Sequence, residues 1–164
     1  MKTLRLLPFL ALAAVPAAAQ EKPASAGEIA DAINACKAVT SSTWIELDDL
    51  REHGWKPYRK AAGRRAQVIR GAYEKMGNEA LIIITKEDLK AKACTVFARL
   101  DNTSDYGPTA QGVSEFVGMP NRADGPTYFW ALGDGKVMRV DPTGDRDKPI
   151  ARFEITAIPQ ESAE

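Results

Sequence analysis

The 164-residue chain has the composition of an ordinary globular protein, because 45% of its residues are hydrophobic and 27% are charged. These fractions exclude a disordered polymer, a collagen-like chain and a disulfide-dense miniprotein. The 22 basic side chains are balanced by 22 acidic ones. The whole molecule therefore lacks the basic excess that proteins use against phosphate backbones, and we expect no nucleic-acid partner.

The first 19 residues have the parts of a secretory signal peptide. Lys2 and Arg5 form a basic start, and an apolar run and three alanines ending at Ala19 follow. The apolar run is about 10 residues long, too short for the roughly 20 that cross a bilayer as a helix, so we expect cleavage after Ala19 rather than a retained anchor. We expect a periplasmic or secreted product without a transmembrane segment. It divides into a flexible lead-in, one domain and a flexible tail, at residues 20–24, 25–158 and 159–164.

Cys36 and Cys94 are the only cysteines of the chain. Ser25 and Glu28 form a capping box before a helix over residues 26–38, which carries Cys36 on its apolar face. Cys94 lies on the apolar face of a strand with alternating character. One pair in an exported chain predicts a structural disulfide between the first helix and the sheet, and a reactive or metal-binding pair is the alternative.

The sequence pattern of the rest of the first half predicts a short helix and several strands. A helix over residues 46–53 ends at Gly54, and an extended segment begins at the next residue. Strands are predicted over residues 68–76, 80–85 and 94–100. The middle one is apolar on both faces, which is typical of a central strand.

The second half predicts a helix over residues 109–117, a hairpin around the Asp134-Gly135 turn, and a last strand over residues 150–158. We pair the residues of the two strands outward from the turn and assume no bulge. One side of the hairpin is then predicted to face the core, and it is formed by Phe129, Ala131, Met138 and Val140. Trp130 then pairs with Arg139 on the other side. This side is an exposed aromatic binding face unless another element covers it.

The order of helix, strands, helix and strands predicts an α+β fold. We expect a mostly antiparallel sheet with helices over residues 26–38 and 109–117 packed on one face. The repeated order raises a degenerate duplication of one helix-plus-strands unit. No residue-level repeat is visible, so a single unrepeated unit stays open as the alternative.

The motifs of common catalytic and cofactor sites are absent, namely GxSxG, HExxH, the P-loop, GxGxxG and CxxCH. His53 is the only histidine, and its spacing from Asp49 suits a helix end better than catalysis. The aspartates within residues 141–147 favour turns over a calcium site. We therefore expect no catalytic residue, no cofactor and no bound metal.

The strongest local charge asymmetry is a basic segment between residues 56 and 75, where seven cations face Glu74 as the only acid. An anionic partner is one interpretation, and a solvated loop balanced by acids elsewhere is the other. Together with the hairpin side, the segment supplies the binding residues that we predict: Lys56, Arg59, Lys60, Arg64, Arg65, Trp130 and Arg139.

These features predict a small exported, non-catalytic binding or interaction module of the bacterial envelope. Its partner would be an anionic envelope component or another exported protein. One alternative is an envelope hydrolase whose carboxylates are brought together only by the fold. The other is a structural envelope component.

Overall fold

A computed structural model describes residues 22–62 and 65–158, without the side chains of residues 61, 62 and 65. The predicted signal peptide and the predicted tail lie outside the described residues. The elements, in chain order, are α1 (Ala26–Val39), α2 (Asp49–Glu52), β1 (Lys56–Ala62), β2 (Arg65–Lys75), β3 (Asn78–Ile83), α3 (Lys86–Ala91), β4 (Ala93–Arg99), a 3₁₀ turn (Thr103–Asp105), α4 (Tyr106–Val117), β5 (Arg122–Asp124), β6 (Thr127–Gly133), β7 (Lys136–Gly144) and β8 (Pro149–Ala157).

All eight strands form one antiparallel sheet in the order β1-β2-β3-β4-β8-β7-β6-β5. The helices α1 and α4 pack on one face of it and enclose the core, which includes Ile33, Val96 and Phe153. The predicted α+β fold with an antiparallel sheet is confirmed. Among the described residues, none of the helices has the length and apolar character needed to cross a membrane.

The sheet has an internal symmetry in its strand order. If each strand is exchanged with the one four places away along the chain, β1 with β5 and β4 with β8, the result is the same order read from the opposite edge. Each set of four strands follows one long helix, and the two helices touch. A Cβ atom added to Gly112 of α4 would lie 3.0 Å from the Cβ of Ala26 in α1. The molecule thus has the symmetry expected of a duplicated helix-plus-four-strands unit, with the short helices α2 and α3 present in the first half.

A disulfide joins Cys36 of α1 to Cys94 of β4, as the two apolar periodicities predict. Both cysteines are fully buried. Ser25 and Glu28 also form the predicted capping box at the start of α1. The bond closes a sequence separation of 58 residues, and closing a loop of this length stabilises a fold by about 4 kcal/mol in the chain-entropy model.

The pairing register of β6 and β7 differs by one residue from the register that the sequence predicts. Gly133 pairs with Lys136, but the next pair is Ala131 with Val137, so the register shifts between Ala131 and Gly133. A β-bulge of this kind adds one residue to one strand and reverses the faces beyond it. The core side predicted for β7 is correct, whereas the side predicted for β6 is wrong.

Candidate anion-binding site

The hairpin of β1 and β2 extends past the end of β3. The strand β2 pairs with β3 from Ala72 to Lys75, and over this stretch it also pairs with β1, at Tyr73 and Glu74. Its earlier part, from Arg65 to Val68, pairs with β1 beyond the end of β3. We call this outer two-stranded part, residues 59–62 and 65–68, the arm. Its exposed side chains include Arg59, Lys60 and Gln67.

The arm leaves the sheet at Gly71. This residue has a φ of 78°, a backbone conformation that glycine adopts without strain. Its carbonyl accepts a hydrogen bond of 2.7 Å from the N–H of Ile84. A Cβ atom at this position would lie 2.4 Å from the Ile84 carbonyl oxygen. Glycine is therefore required where the arm departs, and the bond to the buried Ile84 fixes the root of the arm.

Three cations line an open cleft at the base of the arm. Arg51 comes from the last turn of α2, and Lys56 and Arg59 come from β1. The cleft has a volume of about 480 Å³ and is also lined by Pro57 and Glu74. We call it the cationic cleft. Its cations converge because Gly54, with a φ of 83°, ends α2 and turns the chain directly into β1.

The charges of the cationic cleft are poorly balanced. Within residues 22–62 and 65–158, Arg51, Lys56 and Arg59 form no ion pair, since the ion pairs there involve other cations such as Lys37 and Arg139. The Glu74 carboxylate accepts a hydrogen bond of 3.2 Å from the backbone N–H of Arg59. Three exposed positive charges thus face one negative charge, which leaves an excess that favours an anionic ligand.

The positive charge of Arg51 also affects the pKa of a neighbouring tyrosine. Burial raises the pKa of Tyr73, the nearby negative charge of Asp48 acts in the same direction, and the positive charge of Arg51 acts against both. The positive charge of Arg51 thus acts on Tyr73 as well as in the cleft that Arg51 lines.

The structure brings together some of the predicted binding residues and separates others. Lys56 and Arg59 line the cationic cleft, and Lys60 is exposed one residue further along the arm. Arg65 pairs with Ala62 through the backbone at the outer end of the arm, whereas Arg64 lies outside the described residues. Lys75, which the sequence counts with the basic segment, contacts both carboxylate oxygens of Asp31 at 2.9 Å. It is therefore part of the contact between α1 and the sheet.

Arg51 is the residue of the candidate site that the sequence reasoning missed. It lies outside the basic segment in sequence, within a predicted helix over residues 46–53 in which acids outnumber bases. A usable signal was the position of Gly54, because a glycine that ends a helix two residues before Lys56 places the last turn of that helix beside the start of β1.

Trp130 and Arg139 do not form the exposed face that was one of the two interpretations of the hairpin. Trp130 is only 2% exposed, and its indole N–H donates a hydrogen bond of 2.8 Å to the carbonyl of Gly118, directly after α4. Arg139 lies on the opposite face of the sheet, where its Nε is 2.9 Å from Oδ2 of Asp141. The bulge in β6 causes this difference, and the hypothesis of an aromatic binding surface with Arg139 stacked on Trp130 is wrong.

Trp130 instead contributes to a cleft of about 360 Å³ between α4 and β6, which Tyr128, Ser114 and Met119 also line. The hydroxyl of Ser114 donates to the Ala110 carbonyl at 2.9 Å. The indole N–H of Trp130 is likewise occupied by its bond to Gly118. The cleft is lined by uncharged residues, so it provides no charge complementarity for an anionic partner.

Two acids on the open face of the sheet, Asp141 and Glu154, form ion pairs with arginines. Asp141 contacts Arg139 on its own strand, and Glu154 contacts Arg152 on its own strand. Within the part of the chain that the structure describes, no group of three or more His, Cys, Asp or Glu side chains is placed to hold a metal ion. The loop between β7 and β8 is a turn, as its aspartates predict, since the Asp145 carboxylate accepts the N–H groups at 147 and 148 at 3.0 and 2.7 Å.

Comparisons with protein families, with curated proteins and with solved structures find no match for this chain. The function must therefore be argued from the geometry and the charges of the cationic cleft and the arm.

Proposed function

We propose that this protein is an exported, non-catalytic binding module that holds an anionic component of the bacterial envelope in the cationic cleft. The observation that carries the proposal is the convergence of Arg51, Lys56 and Arg59 on one open concavity without an ion pair among the described residues. Like charges held close together repel each other, and a bound anion relieves this repulsion.

The chemistry of the three cations favours a carboxylate or a phosphate. Arginine offers a planar fork of donors that can hold either group through two hydrogen bonds, and lysine adds a compact point charge. All three side chains are exposed, so salt screens their interaction with a ligand. We therefore expect binding that weakens as the ionic strength rises.

Two further features support the export of the module. The first 19 residues have the pattern of a secretory signal peptide, and the disulfide between Cys36 and Cys94 is of the kind that persists in oxidising compartments. A periplasmic or secreted protein meets anionic polymers and lipids at the envelope, which are the partners that this proposal requires.

Cations on β1 also suit a second role. The strand lies at the edge of the sheet, and lysines and prolines on edge strands discourage pairing with the edge of another molecule. Lys56, Pro57 and Lys60 fit this description. A purely protective role predicts aggregation when the cations are removed, whereas the proposed function predicts the loss of anion binding in a protein that stays monomeric.

The experiment compares two triple variants of the mature, oxidised protein. Arg51→Ala, Lys56→Ala and Arg59→Ala remove the cationic cleft, and the matched control removes three exposed cations elsewhere: Lys86→Ala, Lys90→Ala and Arg146→Ala. Calorimetric titration with dextran sulfate measures the affinity at low and at high salt, and light scattering checks for aggregation.

We expect the first variant to bind dextran sulfate about tenfold more weakly than the wild type, because three charge-assisted contacts are lost. The control should stay within about twofold of the wild type, since it differs only in net charge. Equal losses in the two variants would show that the polymer follows net charge alone, and the proposed function would then be wrong.

A further inference from the structure

We infer that the cationic cleft and the arm form one continuous track that binds a single linear polyanion, a chain polymer with a phosphate or a carboxylate on each repeating unit. This inference rests on the proposed function, because it takes the cationic cleft as an anion site and extends that site along β1. It makes Lys60, which lies outside the cleft, a contact for the chain and not for a small anion.

The first argument is the line of cations along one strand. From the cleft outward, β1 carries Lys56, Arg59 and Lys60. Seven residues of extended chain span about 20 Å. A small anion in the cleft reaches the cations there, whereas a chain that follows the strand also meets Lys60. Repeated negative charges thus match the positive charges that β1 carries from Lys56 to Lys60.

The second argument is the position of β1 at the edge of the sheet. Side chains on alternate faces of an inner strand are separated by the sheet, but an outermost strand exposes both faces to a ligand that lies along its open edge. Arg59 and Lys60 point to opposite faces because they are consecutive in a strand. A flexible chain along the edge can contact both, which a rigid ligand on one face cannot.

The third argument concerns the shape of the site. A bilayer offers a broad, nearly flat anionic surface, but Arg51, Lys56 and Arg59 line a concavity. A flat surface contacts the rim of a concavity, whereas a single polymer chain can enter it. The proline and lysines of β1 also oppose the addition of a further β-strand. The polymer would therefore be held by its charged groups and not by pairing with the edge of the sheet.

The test compares a short and a long probe of the same chemistry on single variants. The probes are tripolyphosphate and a polyphosphate long enough to span about 20 Å, and the affinities are measured by calorimetric titration of the mature, oxidised protein. The variants are Arg51→Ala in the cleft, Lys60→Ala on the arm, and Gln67→Ala as the control. Gln67 is the exposed cross-strand partner of Lys60, so its substitution perturbs the same part of the arm without removing a charge.

We expect Arg51→Ala to weaken the binding of both probes. We expect Lys60→Ala to weaken the long probe by about threefold, the value of one exposed ion contact, and to leave tripolyphosphate unchanged. Lys60→Ala should also reduce the slope of the logarithm of the affinity for the long probe against that of the salt concentration, since one contact fewer releases fewer counterions. Gln67→Ala should change none of these quantities.

The outcomes separate this inference from the proposed function. If Lys60→Ala binds the long probe as well as Gln67→Ala does, the track is disproved and the cleft remains an anion site. If Arg51→Ala changes neither probe, the cleft itself is disproved. Stronger binding to vesicles of anionic phospholipid than to the long probe, again reduced by Lys60→Ala, would replace the polymer with a membrane surface. The same titrations with polygalacturonate in place of polyphosphate show whether the track binds a polymer of carboxylates as tightly as a polymer of phosphates.

Discussion

The two halves of the molecule, residues 26–99 and 106–157, share one layout but hold their helices in different ways. In the first half a disulfide joins α1 to the central strand β4. In the second half, α4 is fixed at both ends by hydrogen bonds from aromatic side chains. The hydroxyl of Tyr106 lies 2.7 Å from the Pro126 carbonyl oxygen and 2.9 Å from that of Val140, and the indole N–H of Trp130 bonds to the carbonyl that follows α4. The contact of helix and sheet in the first half therefore includes a covalent bond as well as polar contacts such as that of Lys75 with Asp31, whereas in the second half these hydrogen bonds hold the helix.

The outer hairpins of the halves differ as strongly. The edge strand of the first half, β1, has seven residues and ends in the cationic arm, whereas the edge strand of the second half, β5, has three residues. A short edge strand offers little backbone for pairing and little room for a ligand. The candidate site thus lies in the half whose outer hairpin is long, and the disulfide belongs to that same half.

The largest effect expected from this comparison comes from the disulfide. The double substitution Cys36→Ala and Cys94→Ala should lower the free energy of unfolding by about 4 kcal/mol, since the loop-closure entropy of the unfolded chain is restored. Urea unfolding of the mature protein measures the change. Hydrogen exchange should show a larger loss of protection in α1 than in α4, because the covalent bond fixes α1 alone.

Reduction of the wild-type protein serves as the control, because it breaks the same bond without a change of sequence. It should lower the stability by a similar amount. If the double variant loses less than about 1 kcal/mol, or if α4 loses as much protection as α1, then the covalent bond is not what distinguishes the two halves.

A smaller effect is expected at the hydrogen bond between Trp130 and Gly118. The substitution Trp130→Phe keeps a ring in the core but removes the indole N–H, and it should cost about 2 kcal/mol through the lost bond and the smaller side chain. Trp44→Phe is the matched control, because Trp44 is 62% exposed and its substitution should change the stability by less than about 0.5 kcal/mol. Equal urea midpoints for the two variants would contradict the role given to this bond.

Sequence reasoning succeeds where a regular period determines which way a side chain faces, and it fails where that period is interrupted. Cys36 and Cys94 were paired correctly because a helix and a strand each repeat their apolar face with a fixed period, which the sequence shows directly. Trp130 was placed on the wrong face because the count from the turn assumed an unbroken ladder. The bulge before Gly133 is a local irregularity, and the burial of a tryptophan beneath α4 depends on contacts with a helix distant in sequence.

The candidate site shows the same division between local and distant signals. The basic segment was visible as a run of charge, which identified Lys56, Arg59 and Lys60. The contribution of Arg51 depends on how α2 meets β1, and the removal of Lys75 from the site depends on its ion pair with Asp31, 44 residues earlier in the chain. Such contacts are a property of the tertiary fold, and no run of charge or period of hydrophobicity encodes them.

The smallest expected effect concerns the start of the two helices. The Glu28 carboxylate accepts the N–H of Ser25 at 2.6 Å within α1 itself. Before α4 the corresponding bond belongs to the 3₁₀ turn, where the Asp105 carboxylate accepts the N–H of Asn102 at 2.9 Å. The bond to Ser25 is the main cause that holds the pKa of Glu28 below its usual value of 4.5, against a smaller opposing effect of burial.

A carboxyl group whose pKa is lower in the folded state stabilises the fold above its ordinary pKa, and this contribution is lost as the pH falls through the folded-state value. Glu28→Gln should therefore cost about 0.5 to 1 kcal/mol at neutral pH, because the charged cap and its interaction with the helix dipole are lost. The cost should disappear in acid, where the wild-type carboxyl is protonated. Urea unfolding at several pH values measures this difference. The exposed Glu115 of α4 provides the control Glu115→Gln, which removes a carboxylate that forms no cap. A cost for Glu28→Gln that stays constant down to strongly acid pH would show that the charge of Glu28 does not contribute to the cap of α1.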